Sequence, residues 1–210
     1  MYQYRELQLQ EAERIAEIDA THFIKNVWRK DASGEYHLVE INWTDTELPN
    51  GFEWHLRRFK EILENGGTAF GCFHGGKLIG YATVNADVFG QQGYVLLDQL
   101  FVSNTYRGKG IGNRLFALCA QQARQLGARK LYLCAGSAEN TIAFYHRLGC
   151  GDCGGTDGIC PDSGHGAYFG GLCHSGQHCH HSGRGIPAGI CADQTFAQAL
   201  DGGGKAAGDQ

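Results

Sequence analysis

The segment with the most evident chemistry runs from Arg107 to Gly112 (RGKGIG), between an apolar stretch and a helical pattern. A junction between a strand and a helix directs several free backbone N–H groups to one point, and the helix dipole adds positive potential there. Glycine residues let phosphate oxygens approach the backbone. Arg107 and Lys109 add positive charge, and no Ser, Thr, Asp or Asn occupies the obvious N-cap. The segment predicts an anion site, with a tight turn that carries solvated charges as the alternative.

Two common phosphate motifs do not describe this segment. The dinucleotide-binding pattern needs glycine at 108, 110 and 113, but position 113 is Asn. A Walker A loop needs Gly-Lys-Ser/Thr, and Lys109 is followed by Gly110. The chemistry must therefore be assigned from the flanking sequence.

Together with a second segment, Asn140 to Gly149 (NTIAFYHRLG), the loop resembles the motifs of the GNAT superfamily of acyl-CoA-dependent N-acetyltransferases. The first motif is an apolar strand followed by Arg-x-x-Gly-x-Gly at the start of a helix, here LDQLFVSNTYRGKGIGNRLF, with Arg107, Gly110 and Gly112 at the motif positions. The resemblance covers roughly residues 2–150. It implies an α+β fold with a mixed, mostly antiparallel sheet flanked by helices.

The resemblance implies acetyl-CoA as co-substrate and assigns its contacts. The pyrophosphate would be held by Arg107 and by the loop that follows it, which consists of Gly108, Lys109, Gly110, Ile111 and Gly112. The backbone of Leu100, Phe101 and Val102 would pair with the pantetheine amides as an added strand. Asn140 would bond pantetheine or main chain near the thioester, or simply occupy the first turn of a helix.

Two residues are candidates for proton transfer when an amine attacks the thioester directly. Tyr145 stands at the family's position for the general acid that protonates the thiolate, with a core tyrosine as the alternative. Asp98 lies in the apolar strand, where a buried carboxylate is costly, and is a candidate base or substrate contact. It could also face solvent or bond a loop. We expect no metal at this site.

The sequence does not identify the acceptor amine. Residues 21–60 contain three Trp, three His and several carboxylates that could face a cationic amine or be solvated hairpin charges. We expect a small-molecule amine, with a peptide amine also possible. The net charge of -4 gives no reason to expect nucleic acid, no apolar run is long enough for a membrane helix, and the chain starts without a signal-peptide pattern, so we expect a cytoplasmic protein.

The elements that must position these residues follow from periodicity. Strands are predicted at Tyr2–Leu9, Thr68–Phe73, Lys77–Val84, Tyr94–Val102 and Lys130–Cys134, with a hairpin over Val27–Trp43. Helices are predicted at Gln10–Ala20 (with Ala12, Ile15, Ala16 and Ile18 inward), from Asn50 as a capping residue to Leu63, at Ile111–Leu126, and from Ser137 as a cap to Leu148.

The composition changes abruptly at about residue 150. The segment 151–210 holds half of the 32 glycines and most of the cysteines, and it has no helical or strand period. We therefore expect two parts, an acetyltransferase domain at 1–150 and a disordered Gly/Cys/His-rich tail at 151–210. A shifted reading frame explains the break better than a selected linker does. It predicts that the last strands are missing, that Lys130–Cys134 has an uncovered edge, and that transfer is weak or absent.

Three other functions compete with an active acetyltransferase. The chain could bind acyl-CoA yet be catalytically impaired by its C-terminus. The tail could bind zinc, since it contains Cys150-x-x-Cys153 and a run of His and Cys, although a paired second Cys-x-x-Cys is absent. A plain interaction domain is the third. The sequence does not indicate the oligomeric state.

Overall fold

The computed structural model describes residues 1–33, 35–152 and 190–193. Predictions about the remainder of the tail, including its disorder and its metal ligands, lie outside the described residues. The strands are β1 (Gln3–Leu7), β2 (His22–Lys30), β3 (Tyr36–Asp45), β4 (Thr68–His74), β5 (Lys77–Val84), β6 (Tyr94–Val102), β7 (Lys130–Leu133), β8 (Gly151–Asp152) and β9 (Ile190–Asp193). The helices are α1 (Phe52–Glu64), α2 (Ile111–Gln125) and α3 (Glu139–Arg147), with 3-10 helices at Leu9–Glu17 and Asn104–Tyr106.

Seven strands form one sheet in the order β1-β4-β5-β6-β7-β9-β8, and β2 and β3 form a separate hairpin. Every neighbouring pair in the large sheet is antiparallel except β6 and β7, which run parallel. The connection between these two parallel strands contains α2. The predicted α+β fold with a mixed, mostly antiparallel sheet is confirmed.

Each face of the sheet packs against its own helices. On one face, α2 and α3 enclose a cluster that includes Leu97, Leu115 and Phe116. On the other, α1 and the first 3-10 helix enclose a cluster that includes Phe59 and Tyr81. The sheet therefore lies between two apolar layers.

The first helical segment is a 3-10 helix and not the predicted α-helix. The buried residues are Ala12 and Ile15 in the helix and Ile18 at its C-cap, which recur every three positions, whereas Ala16 is exposed. A period of three matches the three residues per turn of a 3-10 helix, in which side chains at i and i+3 eclipse. The prediction that Ala16 faces inward is wrong for the same reason.

Two predicted helix caps are also wrong. Helix α1 has Gly51 at its N-cap, with φ +82° and without a side-chain cap, so Asn50 is not the capping residue. Helix α3 has Ala138 at its N-cap, while the Ser137 hydroxyl accepts a hydrogen bond from Arg29 of β2 at 2.7 Å. Neither helix therefore has a side-chain cap, and the Ser137 hydroxyl contacts the hairpin instead.

The predicted uncovered edge at Lys130–Cys134 is a further correction. Strand β9 pairs antiparallel with β7 from Lys130↔Asp193 to Leu133↔Ile190, and β8 pairs with β9. The expectation that no strand follows α3 is therefore wrong for these short segments. Pairing satisfies the backbone groups of β7 that would otherwise be exposed at a sheet edge.

Candidate functional site

The loop between β6 and α2 has the backbone of an anion site. Gly108 and Gly110 have φ values of +73° and +79°, and Gly110 is the N-cap of α2 in the left-handed conformation. A Cβ at either position would meet nothing within 4 Å, so the backbone conformation and not crowding requires glycine there. No side chain in the described residues caps α2. Its first-turn N–H groups therefore lack a side-chain acceptor and are available to an anion.

Gly112 also has a packing role that the sequence did not indicate. A Cβ on Gly112 would lie 3.1 and 3.2 Å from the Cζ and Cε2 atoms of Phe144 in α3. The absent side chain therefore lets α3 pack closely on the first turn of α2. Contact of Gly112 and Ile111 with phosphate stays a prediction.

The two cations of the loop have different surroundings. Arg107 donates to three backbone carbonyls, from Nε to Val102 at 3.0 Å, from Nη1 to Thr21 at 2.9 Å and from Nη2 to Ala20 at 3.3 Å. It ties the chain before β2 to the end of β6. Lys109 is exposed, with Nζ 5.0 Å from the centroid of the Tyr106 ring. Lys109 is thus the cation of the loop with the freedom to reach a bound anion.

The second half of β6 has an open edge. Its parallel ladder with β7 spans only Tyr94–Leu96, whereas its ladder with β5 continues to Val102. The Ser103 N–H donates to Ile79 in β5 at 2.9 Å. Because bonded positions alternate along an antiparallel ladder, Leu100 and Val102 direct their backbone groups away from β5, and Phe101 directs its own toward β5. Leu100 and Val102 are therefore better placed than Phe101 to pair with an added chain, although the Val102 carbonyl already binds Arg107.

A β-bulge at Asp98 begins this open edge. Val84 and Thr83 of β5 are consecutive, yet their partners in β6 are Leu97 and Gln99. The extra residue, Asp98, places two successive side chains on the α1 face, because both Asp98 and Gln99 bond α1.

The side chain of Asp98 is buried and ion-paired. Its Oδ2 accepts hydrogen bonds from Nε and Nη2 of Arg58 in α1, at 3.0 and 2.6 Å. Burial raises the pKa of the Asp98 carboxyl, and Arg58 opposes that rise. Sequence reasoning missed Arg58. The only signal for it was indirect, since an acid in an apolar strand requires a buried cationic or hydrogen-bonding partner.

Tyr145 lies on the opposite face of the sheet. It is a buried member of the cluster under α2, with its ring centroid 6.4 Å from that of Phe116 and 5.0 Å from that of Phe144. Burial raises the pKa of its phenol, and the neighbouring Cys150 and Cys119 thiols act in the same direction. Asp98 and Tyr145 therefore lie on the two sides of the sheet, and their roles stay predictions.

The hairpin joins the first turn of α3, a contact that sequence reasoning missed. The Asn140 side-chain amide lies 2.8 Å from Nε2 of His22, and Asn26 donates to Glu139 at 2.7 Å. Burial lowers the pKa of His22, and Arg107 lowers it further. The Asn140 atom in this contact is the amide nitrogen, which only donates, so Nε2 of a neutral His22 accepts from it. Separation by more than 100 residues leaves no local pattern from which this docking could be predicted.

The described residues contain no group of three or more His, Cys, Asp or Glu that could hold a metal ion. In the same part of the chain, no helix is long and apolar enough to span a membrane. The predicted pyrophosphate loop, the open strand edge and Asn140 are all contributed by β6, α2 and α3 or by the residues between them.

Residues 28–150 match the model of the acetyltransferase (GNAT) family. The chain belongs to the GNAT family. This match covers more than half of the chain and includes the glycine loop, the bulge and α3. It confirms the family that the two motifs indicated, and with it acetyl transfer as the family activity.

Solved structures share the GNAT fold. A nourseothricin acetyltransferase is 24% identical with a TM-score of 0.60, over 73% of this chain and 85% of that one. A proposed streptothricin acetyltransferase from Bacillus anthracis strain Ames, in complex with acetyl coenzyme A, is 18% identical with a TM-score of 0.57, over 73% and 86%. A proposed GNAT acetyltransferase from Desulfovibrio desulfuricans is 16% identical with a TM-score of 0.53, over 73% and 87%. A comparison with curated proteins gives no significant match.

Proposed function

We propose that this GNAT protein transfers an acetyl group from acetyl-CoA to a primary amine of a small molecule. One observation carries the proposal. The uncapped, glycine-bounded start of α2 lies directly after the strand whose edge opens at the Asp98 bulge. An anion site followed by a free strand edge suits a cofactor that has a pyrophosphate at one end and an amide-bearing chain leading to a thioester.

The cofactor contacts follow from that arrangement. The amides at the start of α2 and Lys109 hold the pyrophosphate, and the backbone of Leu100 and Val102 pairs with the amide-bearing chain. Asn140 contributes from α3. The acetyl coenzyme A bound to the B. anthracis relative supports this choice of cofactor.

The reaction is direct attack of the neutral amine on the thioester carbonyl. A nitrogen–carbon bond forms, the carbon–sulfur bond breaks, and the products are an N-acetyl amine and CoA. The proton of the attacking amine goes to Asp98, and the departing thiolate takes a proton from Tyr145. The two groups lie on opposite faces of the sheet, which suits a thioester at the open edge of β6.

The names of two relatives support a small-molecule acceptor, because one is a nourseothricin acetyltransferase and the other a proposed streptothricin acetyltransferase. A peptide amine is the alternative. We also propose that residues 1–150 are the transferase domain, to which β9 adds an outer strand.

A screen of amines tests the proposal. Purified full-length chain is incubated with acetyl-CoA and a panel of small-molecule and peptide amines, and CoA thiol is measured. We expect release that depends on the amine, with an equal amount of acetylated amine detected by mass spectrometry. Binding of acetyl-CoA without acetylation of any amine would instead indicate the impaired, CoA-binding form.

A further inference from the structure

The ion pair between Arg58 and Asp98 is asymmetric. Two of the three guanidinium nitrogens of Arg58, Nε and Nη2, bind the same carboxylate oxygen, Oδ2. The Asp98 side chain is only 5% exposed, and its second oxygen, Oδ1, is buried without a hydrogen-bond partner in the described residues. A guanidinium commonly binds both oxygens of a carboxylate, so this arrangement leaves one acceptor unused.

Such an unused oxygen is costly. A buried carboxylate oxygen loses its hydration and gains nothing in return unless a donor is bound there at some stage. Asp98 is also the extra residue of the bulge that opens β6. The unsatisfied acceptor is thus located where the proposed reaction releases a proton.

We propose that Arg58 is a positioning residue for acetyl transfer, which holds Asp98 by Oδ2 and so keeps Oδ1 free for the proton that the attacking amine releases. This inference rests on the proposed function. In that step the amine N–H bond breaks as the N–C bond forms, and a new O–H bond forms on Oδ1. The pair with Arg58 opposes the rise in the Asp98 pKa that burial causes, and so favours the ionised form that can accept the proton.

The charges around Asp98 come from two elements. From α1, Arg58 faces it directly, and Glu61 lies 3.5 Å from Nη1 of Arg58. From β5, Tyr81 is fully buried, and its own pKa is raised mainly by burial and further by the charge of Asp98. Since burial and Glu61 both raise the pKa of Asp98, Arg58 is the group that opposes protonation.

The neighbouring arginine provides a matched control. Arg57 precedes Arg58 in α1, is 65% exposed, and pairs with Glu61 at 3.7 Å and not with Asp98. Arg57→Met and Arg58→Met therefore remove the same charge from the same helix, but only the second removes the partner of Asp98.

The test is a ¹³C NMR titration of the aspartate carboxyls in the full chain, with the Asp98 signal assigned by its loss in Asp98→Asn. In Arg58→Met we expect the midpoint of Asp98 to rise by about one pH unit or more, because an adjacent arginine lowers an aspartate pKa by about 1–3 units. In Arg57→Met we expect the wild-type midpoint. Equal midpoints in the two variants would overturn the proposal.

Arg58→Lys covers the case in which the methionine variant does not fold. Lysine keeps the charge but cannot donate two hydrogen bonds from a planar fork, so the midpoint should rise by a smaller amount. If the Asp98 midpoint in Arg58→Lys is identical to that of the wild type, the proposal that Arg58 positions Asp98 through two hydrogen bonds to Oδ2 is contradicted.

Enzyme kinetics distinguish a positioning role of Arg58 from a purely structural role. With an amine found in the screen, the acid limb of the rate–pH profile should move with the NMR midpoint in each Arg58 variant and stay in place in Arg57→Met. If the acid limb stays at the same pH in the Arg58 variants, Arg58 has only a structural role. If wild type acetylates no amine, the proposed function fails, while the titration still decides whether Arg58 holds Asp98.

Discussion

Tyr145 illustrates how burial limits what a single residue can do. Its phenol lies in the apolar cluster under α2, where burial raises its pKa above the ordinary value of about 10. The group therefore stays protonated at and well above neutral pH, as a general acid must. The same shift weakens it as a donor, because its pKa moves further above that of a thiol.

We expect Tyr145→Phe to lower turnover by about 10²-fold, the lower end of the usual effect of one general acid, with acetyl-CoA affinity nearly unchanged. Steady-state kinetics and calorimetric binding of acetyl-CoA measure the two quantities. Tyr94→Phe is the control, since Tyr94 is also a buried tyrosine but lies at the start of β6, where its hydroxyl donates to Gln92. Equal turnover in both variants would assign Tyr145 to packing alone.

At the scale of elements, helix α1 contains a buried histidine that should make the free energy of unfolding depend on pH. His55 is fully buried, its Nε2–H donates to the Pro49 carbonyl at 2.7 Å, and burial lowers its pKa to about 4. The unfolded chain binds a proton at His55 below about pH 6.5, whereas the folded chain does not until about pH 4. The free energy of unfolding should therefore fall as the pH decreases between these values.

This linkage predicts a loss of about 2 kcal/mol on going from pH 7.5 to pH 5. Urea unfolding at the two pH values measures it. In His55→Gln, which can still donate to Pro49, we expect most of that loss to disappear, although the variant is less stable at pH 7.5. An equal pH dependence in wild type and variant would contradict the buried, neutral histidine.

The elements differ in how much of them could be predicted. Strand β5, strand β6 and helix α2 were predicted to within a residue, because each has a long apolar pattern that ends at a glycine, a polar residue or a turn. The 3-10 helix was missed because a period of three is close to that of an α-helix over nine residues. The caps of α1 and α3 were missed because neither helix has a side-chain cap, and Gly51 and Ala138 occupy their N-cap positions.

At the scale of the whole molecule, contacts between distant segments escaped prediction. The glycine loop, the bulge residue and Tyr145 could be located, since each belongs to a local motif. Arg58, His22 and β9 could not, because each acquires its role only through a partner far away in the sequence. Strand β9 has four residues, so its formation depends on the free edge of β7 and not on its own pattern.

The central claim is that the start of α2 and the open edge of β6 bind acetyl-CoA, and two glycines at the ends of α2 allow a direct test. Gly110 and Gly127 have φ values of +79° and +80°, and a Cβ at either would meet nothing within 4 Å. Gly110→Glu and Gly127→Glu should therefore cost similar stability, about 1–2 kcal/mol each from the left-handed backbone. Only the first places a carboxylate in the proposed phosphate site.

The decisive measurement is the thermal unfolding of wild type and both variants with and without acetyl-CoA. At a concentration 100-fold above its Kd, acetyl-CoA should stabilise wild type and Gly127→Glu by about 2.7 kcal/mol and leave Gly110→Glu unchanged. If acetyl-CoA at millimolar concentration does not stabilise wild type, or stabilises Gly110→Glu as much as Gly127→Glu, the assignment of this site to acetyl-CoA is wrong.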